Sequence, residues 1–146
     1  MTILANPMYL IDTNIISELR KGYKANSGVQ EFFDKVIQEN VPIYISAITI
    51  GELRRGVDLI FHRGDETQGK LLENWLNSIL DQYQDNILTI DSEIAMLWGK
   101  LRVPRHEHAL DKLIAATGII YGLVIVTRNT KDFENTGVRV LNPFIE

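Results

Sequence analysis

Four acidic residues stand far apart in the chain, each beside a local signal that fixes its surroundings. They are Asp12, Glu52, Asp111 and Asp132. Asp12 directly follows the apolar run 9–11, and an acid at the end of a strand is better suited to cation binding than to burial in a core. If the fold brings the four carboxylates together, a divalent cation must offset their mutual repulsion. The pattern therefore predicts a metal-dependent enzyme rather than a binding scaffold.

Two of these acids also have structural interpretations on their own helices. Asp12 could cap the helix that follows it, but Thr13 and Asn14 could cap that helix equally well, which favours a metal-binding role for Asp12. Glu52 could pair with a neighbouring arginine on a helix surface. Its apolar neighbours instead indicate partial burial, and a half-buried carboxylate needs a partner. For Glu52 both interpretations stay open.

The other two acids have similar alternatives. Asp111 in the first turn of a helix is favoured by the helix dipole whatever its function. Asp132, taken alone, is typical of a turn residue before Phe133. Thr127 and Asn129 could be ordinary turn formers, or they could orient carboxylates and water by hydrogen bonds. Their positions become informative only when all these residues are considered together.

Composition narrows the class of protein. The chain has 146 residues, a length typical of one domain, and 45% of them are hydrophobic. It has no cysteine, which excludes disulfides, thiolate metal sites and a cysteine nucleophile. The net charge of −4 argues against a general polyanion-binding surface but allows local arginines to contact phosphates. The apolar runs are too short to cross a bilayer, and the start lacks a secretory signal. We therefore expect a cytoplasmic protein with no membrane partner.

Apolar runs typical of strands alternate with helix-like segments. Strands are predicted at 9–11, 43–45, 87–90 and 123–126, with 139–141 as a fifth at the sheet edge. This alternation indicates parallel βαβ units and a three-layer α/β/α domain with a central, mostly parallel sheet of four to five strands. Ligands gather at the carboxyl ends of such strands. Asp12 and the segment 127–129 both follow apolar strands, so we expect them to share one site.

Capping residues and polar stretches set the predicted helix bounds. The N-cap candidates are Thr13 or Asn14, Ser27, Ser46, and Asp91 or Ser92. Apolar spacing predicts helices over 29–37, 46–61 and 71–83, with further helices around 94–101 and after 108. The polar stretch 62–69 is predicted to be a loop.

Other residues that can carry chemistry have simpler explanations. His106 and His108 resemble a ligand pair, but they stand in a polar loop and lack the further ligands that a zinc site needs. Trp75 and Trp98 fit core or interface packing better than base stacking. The arginines and lysines are interpreted as solvated faces, with phosphate contact as the alternative. They are Arg54, Arg55, Lys100, Arg102 and Arg105.

Taken together, these segments resemble the PIN-domain ribonucleases, and most closely the VapC-like toxins of bacterial toxin–antitoxin pairs. Each motif is weak alone, but together they recur in order over nearly the whole chain from Met8 onward. The matching stretches are 10–14 (LIDTN), 51–56 (GELRRG), 111–117 (DKLIAAT), 126–133 (VTRNTKDF) and 140–144 (VLNPF). Two departures are residues 1–7, a possible N-terminal extension that makes Met8 an alternative start, and the polar segment 106–108.

The resemblance implies a single PIN-like domain over residues 1–146. It also implies roles for seven residues. Asp12, Glu52, Asp111 and Asp132 match the family's acidic metal-binding and catalytic quartet, and Asn14, Thr127 and Asn129 match supporting polar positions. The implied activity is hydrolysis of RNA phosphodiesters with Mg²⁺, or Mn²⁺ as a substitute, because hard oxygen ligands suit these ions.

The resemblance further implies a cognate antitoxin and a homodimer. A groove between the segments 29–37 and 48–61 is a reasonable docking place for the antitoxin. Two other classes of function stay open: a non-catalytic PIN-like binding module, and an aspartate-based phosphatase or receiver domain. The phosphatase usually has a second Asp two residues after the first, where this chain has Asn14.

Overall fold

The fold is built on a central sheet of short parallel strands. The computed structural model describes residues 7–146. In this part of the chain the strands are β1 (Tyr9–Ile11), β2 (Ile43–Ser46), β3 (Ile87–Leu88), β4 (Val124–Val126) and β5 (Val140–Leu141). They lie in the order β3-β2-β1-β4-β5, and all four ladders are parallel. The predicted edge strand is therefore present, and the central parallel sheet is confirmed.

Six α-helices connect these strands in the described part of the chain. They are α1 (Thr13–Leu19), α2 (Ser27–Gln38), α3 (Ala47–His62), α4 (Glu66–Tyr83), α5 (Ser92–Leu101) and α6 (Ala109–Tyr121). Short 3-10 helices cover Gly22–Lys24, Gln84–Asn86 and Thr130–Phe133. Gly122 ends α6 in the left-handed region with φ of 66°, a conformation that costs glycine little.

Alternating residues of the central strands face hydrophobic cores on the two sides of the sheet. Ile11 and Val126 pack with α1 to α4 on one face of the sheet. Leu10 and Ile125 pack with α6 on the other face, where α5 adds Ile94. Because side chains alternate across a strand, strands that are apolar at every position suit burial on both faces. This arrangement confirms the three-layer α/β/α architecture.

The structure corrects several helix starts. The first helix is capped by Asp12, whose carboxylate accepts a hydrogen bond from the backbone of Thr13, so the prediction that Thr13 or Asn14 is the cap was wrong. Asn26, rather than Ser27, caps α2. The predictions of Ser46 for α3 and of Asp91 for α5 are confirmed.

The polar stretch 62–69 is only partly a loop. Helix α4 begins at Glu66, and the carboxylate of Asp65 caps it by accepting a hydrogen bond from the backbone of Gln68. The first turn of an exposed helix can be entirely polar, which explains why this stretch is typical of a loop in sequence. Strand β3 is shorter than the predicted 87–90, since only Ile87 and Leu88 pair with β2.

The sheet brings the carboxyl ends of β1 and β4 side by side. Ile11 lies opposite Val126, and the backbone N–H of Asp12 donates to the carbonyl of Val126 at 2.9 Å. The residues directly after these two strands therefore meet at one edge. Within residues 7–146 no helix is both long and apolar enough to span a membrane. Most of the expected extension 1–7 lies outside the described residues, and the cytoplasmic location stays a prediction.

Candidate active site

Asp12 is a buried carboxylate whose oxygens are both engaged. Only 6% of the residue is exposed. Its Oδ1 accepts the backbone N–H of Thr13 at 2.9 Å, and its Oδ2 accepts the Thr127 hydroxyl at 2.8 Å. Burial raises the pKa of Asp12 above its ordinary value, although the hydrogen bond from Thr127 works in the opposite direction. Asp12 is therefore both the cap of α1 and a fixed acidic group at the sheet edge.

The supporting polar residues form a network around Asp12. The Asn14 amide nitrogen lies 3.3 Å from both Asp12 Oδ2 and the Thr127 hydroxyl oxygen, and Asn14 Oδ1 accepts the backbone N–H of Arg128 at 3.1 Å. Asn129 contributes its backbone N–H, which donates to the Thr127 hydroxyl at 3.1 Å. Asn14 and Thr127 therefore hold the Asp12 carboxylate directly, whereas Asn129 acts through Thr127.

Glu52 is held by a residue from another helix. The hydroxyl of Thr13 in α1 donates to Glu52 Oε1 in α3 at 2.9 Å. Glu52 is half-buried. The alternative in which it pairs with Arg54 or Arg55 is wrong, because Arg54 binds Asp58 and Glu73 instead and Arg55 forms no ion pair within residues 7–146. Thr13 thus connects two of the four acids, since its backbone binds Asp12 and its side chain binds Glu52.

Asp111 and Asp132 meet at the mouth of the site together with a histidine. Asp111 is in the first turn of α6, and Asp132 is in the 3-10 helix after β4. His108 Nδ1 lies 3.7 Å from Asp111 Oδ2 and 3.8 Å from Asp132 Oδ1. The three residues can offer one ligand atom each within 4.8 Å of one another. Asp12 and Glu52 lie beside this tight group and are not part of it.

The electrostatics of Asp111 link all four acids. The pKa of Asp111 is raised to about 6, first by burial and then by repulsion from Asp12, Asp132 and Glu52, whereas His108 opposes the rise. Such mutual repulsion is expected only among carboxylates that share one site. A carboxyl with a strongly perturbed pKa at the carboxyl edge of a parallel sheet is typical of a functional residue.

A cleft of about 610 Å³ opens beside Asp132 and His108. Arg105, Lys112 and Lys131 line it, and within residues 7–146 none of the three forms an ion pair. Lys112 Nζ instead donates to the carbonyl of Arg105 at 2.6 Å. Basic groups at a cleft wall can contact phosphate oxygens.

A second cleft of about 220 Å³ is lined in part by Glu52. Thr13 of α1, Val57 and Ile60 of α3, and Trp75 of α4 are among its lining residues. The predicted groove involved the segments 29–37 and 48–61, so this cleft shares α3 with that prediction but has α1 and α4 where α2 was expected.

Most of the chain matches the model of one known protein family. A family model described as the PIN domain matches residues 9–138. The chain belongs to the PIN domain family. The match spans the edge residues that follow β1 and β4 as well as all four acids, so the geometry described above is that of a PIN domain.

Individual relatives cover the PIN domain almost end to end. Toxin FitB from Neisseria gonorrhoeae is 36% identical over 142 residues, which are 94% of this chain and 99% of FitB. VapC ribonuclease Y4jK from Sinorhizobium fredii is 29% identical over 143 residues, 94% of this chain and 98% of that protein. The crystal structure of FitAcB from Neisseria gonorrhoeae superimposes with a TM-score of 0.80 at 35% identity, covering 93% and 98% of the two chains.

Sequence reasoning missed two residues of this PIN domain site. Thr13 was considered only as a cap, although its position next to Asp12 on the first helical turn was a signal for a second role. His106 and His108 were treated as one exposed pair. The structure separates them, because only His108 reaches the aspartates. The spacing of three residues between His108 and Asp111 at a helix start could have indicated this contact.

Proposed function

We propose that this PIN domain is a divalent-metal-dependent endoribonuclease that acts as the toxin of a toxin–antitoxin pair. The observation that carries the proposal is the gathering of Asp12, Glu52, Asp111 and Asp132 at one edge of the sheet, where burial and mutual repulsion raise the pKa of Asp111. A protein maintains such repulsion at a cost to stability, and a bound cation offsets that cost. The names of FitB, a toxin, and Y4jK, a ribonuclease, support the biological role.

The residues at the edge fit a hard divalent cation. The resemblance favours Asp12 and Asp111 as the most direct ligands, with Glu52 and Asp132 completing the site directly or through water. Because Asp111 and Asp132 can offer ligand atoms within 4.8 Å of each other, we propose instead that the ion lies between these two, with Asp12 and Glu52 completing the site. Carboxylate oxygens suit Mg²⁺ and Mn²⁺. When bound, the cation lowers the pKa of a coordinated water and stabilises negative charge on the phosphate.

The remaining chemistry follows from the chain's own side chains. Asn14 and Thr127 fix the Asp12 carboxylate, so this group does not need to reorganise during the reaction. Thr13 orients Glu52. Asp111 and Asp132 would hold the cation beside which the attacking water loses its proton. Hydrolysis in this site therefore needs no nucleophilic side chain.

An RNA substrate is consistent with the cleft beside Asp132. Arg105, Lys112 and Lys131 line this cleft together with Glu107, Asp132 and Glu134, so individual basic groups are available for phosphates although the wall as a whole is of mixed charge. Phosphate contacts from such residues position a strand without reading its bases. The scissile phosphodiester would then lie over Asp111 and Asp132 while the flanking phosphates contact the basic side chains of this cleft.

An antitoxin and a homodimer complete the proposal. The partly apolar cleft between α1, α3 and α4 borders Glu52, so a protein segment bound there would reach the acidic site. Co-expression with a small neighbouring gene product should suppress growth inhibition by this chain. Light scattering of the purified protein should give twice the mass of one chain; a monomer would contradict the dimer but not the nuclease.

The test of the activity uses purified protein and structured RNA with Mg²⁺ or Mn²⁺. Cleavage should stop when a chelator is added and in Asp12→Ala, whose fold is checked by circular dichroism. Asp34→Ala removes an exposed acid on α2 and should cleave normally. Retained Mg²⁺-dependent activity in Asp12→Ala would refute the assignment. Stable phosphorylation of Asp12 by a small phosphodonor, without RNA cleavage, would instead favour a phosphoryl-transfer or receiver domain.

A further inference from the structure

His108 is an imidazole placed at the edge of the acidic site by the start of α6. It occupies the N-cap position in a left-handed conformation with φ of 57°. Its carbonyl accepts the backbone N–H of Lys112 at 2.9 Å, which is the first hydrogen bond of the helix. The ring is therefore carried on a backbone position that the helix start fixes, and its side chain is 57% exposed.

His108 lies close to Asp111 and Asp132 but is not hydrogen-bonded to either. Nδ1 lies 3.7 Å from Asp111 Oδ2 and 3.8 Å from Asp132 Oδ1, and both distances are too long for hydrogen bonds. Two atoms that each bind one cation at ~2.1 Å are about 3 Å apart when adjacent in an octahedron and at most ~4.2 Å apart. Both distances from His108 Nδ1 fall within this range, and all three ligand atoms lie within 4.8 Å of one another. Small side-chain movements would therefore let the three groups bind one cation.

We infer that His108 supplies a nitrogen ligand to the cation bound by Asp111 and Asp132, and that this ligand gives the site a preference for Mn²⁺ over Mg²⁺. The inference rests on the proposed metal-dependent function. An imidazole suits borderline transition ions, whereas Mg²⁺ prefers oxygen ligands and retains its water. Exchanging one oxygen donor for a ring nitrogen should therefore favour the transition ion.

Two matched substitutions isolate this ligand. Asn tolerates the left-handed backbone of residue 108, and its Oδ1 stands at nearly the same position on the side chain as the His Nδ1. His108→Asn therefore exchanges a nitrogen donor for an oxygen donor without disturbing the helix start. His106→Asn makes the same change two residues earlier, outside the cluster of three ligand atoms. Asp111→Asn removes a carboxylate that the inference and the proposed function both require.

The readout is direct spectroscopy of Mn²⁺ bound to the full chain, without RNA. Electron spin echo modulation detects the ¹⁴N nucleus of an imidazole bonded to Mn²⁺. We expect this modulation in the unsubstituted protein and in His106→Asn, and its loss in His108→Asn. Calorimetric titration with Mn²⁺ and Mg²⁺ separately should show the Mn²⁺-to-Mg²⁺ affinity ratio falling about tenfold in His108→Asn, the size of effect common for groups that tune a metal site.

The outcomes separate a failure of the His108 ligand from a failure of the proposed metal-dependent function. If Mn²⁺ binds the unsubstituted chain and is lost in Asp111→Asn, but no ¹⁴N modulation is seen, His108 is not a ligand and the inference fails while the metal-dependent function survives. An unchanged affinity ratio in His108→Asn would also overturn it. If neither ion binds the unsubstituted chain, the metal-dependent function itself fails.

Discussion

Replacing Asp111 by Asn should stabilise the protein, although it should also abolish activity. The Asp111 carboxyl is only partly exposed, at 29% of its side chain. Its pKa is raised from 3.8 to about 6, first by burial and then by repulsion from Asp12 and Asp132. Above pH 6 Asp111 is charged in both the folded and the unfolded state. Because the charge is less favourable in the folded protein, ionisation of Asp111 lowers the free energy of unfolding. A neutral amide of the same shape removes this penalty.

The expected gain in unfolding free energy follows from the size of the rise in the Asp111 pKa. A rise of ~2 pKa units corresponds to about 3 kcal/mol of lost stability above pH 6. Solvent screening at a partly exposed group reduces this to about 1–2 kcal/mol. Loss of the favourable charge in the first turn of α6 costs ~0.3–1 kcal/mol. The net gain in unfolding free energy should be about 1 kcal/mol, or ~2–4 °C in the midpoint of thermal unfolding.

The sign of the pH dependence provides an independent check. The stabilising contribution of this carboxyl is fully present below its unfolded pKa of 3.8 and is lost as the pH rises through about 6. The advantage of Asp111→Asn should therefore grow between pH 4 and pH 6 and then level off. The measurement is urea unfolding in a chelator at several pH values. Adding Mg²⁺ should stabilise the unsubstituted protein and not the variant.

The control for this prediction is another acid in the first turn of a helix. Glu66 begins α4 and is exposed, so Glu66→Gln should lose only the favourable interaction with the helix dipole and destabilise by ~0.3–1 kcal/mol. Opposite signs for the two variants are expected. A lower unfolding midpoint for Asp111→Asn at pH 7 would refute the argument that burial and repulsion of the Asp111 charge destabilise the folded protein.

Three further substitutions test the positioning of the site and the packing around it. Thr13→Val removes the hydroxyl that donates to Glu52 at 2.9 Å, so kcat should fall about tenfold with a change in unfolding free energy within ~1 kcal/mol. Gly28→Ala should destabilise by about 1–3 kcal/mol in urea unfolding, because a Cβ there would meet the backbone carbonyl of Pro143. Lys131→Ala should raise KM for RNA and reduce its salt dependence, with kcat little changed, because it removes a charge from the cleft.

Each of these three substitutions has its own control. Thr13→Ser retains the hydroxyl and should keep most of the activity; equal losses in both variants would contradict the role of the hydrogen bond. Gly99→Ala meets no atom within 4 Å and should be neutral or stabilising, so a similar loss there would contradict the packing argument. Lys35→Ala, on α2, should leave KM unchanged. An equal rise in KM would mean that Lys131 has no local role.

The sequence alone determined the order and type of nearly all the elements. Apolar runs and capping residues are local signals, so β1, β2, β4 and the caps Ser46 and Asp91 could be predicted from short windows. The four acids could be named because their motifs, each weak alone, recur in the order that the PIN-domain ribonucleases show. Predictions failed where a local pattern fits two structures equally well, as in the polar stretch 62–69, which contains the first turn of α4.

Only the tertiary structure decided how the acids are held and which histidine joins them. The Thr127 hydroxyl reaches Asp12 across 115 positions in sequence, and Thr13 reaches Glu52 across 39. His108 meets Asp132 because the start of α6 and the 3-10 helix after β4 lie at the same edge of the sheet. No local pattern carries this information, because the distances depend on how parallel strands from distant segments align. The sequence named the candidate acidic groups, and the packing of the sheet edge decided which hydrogen-bond partners hold them.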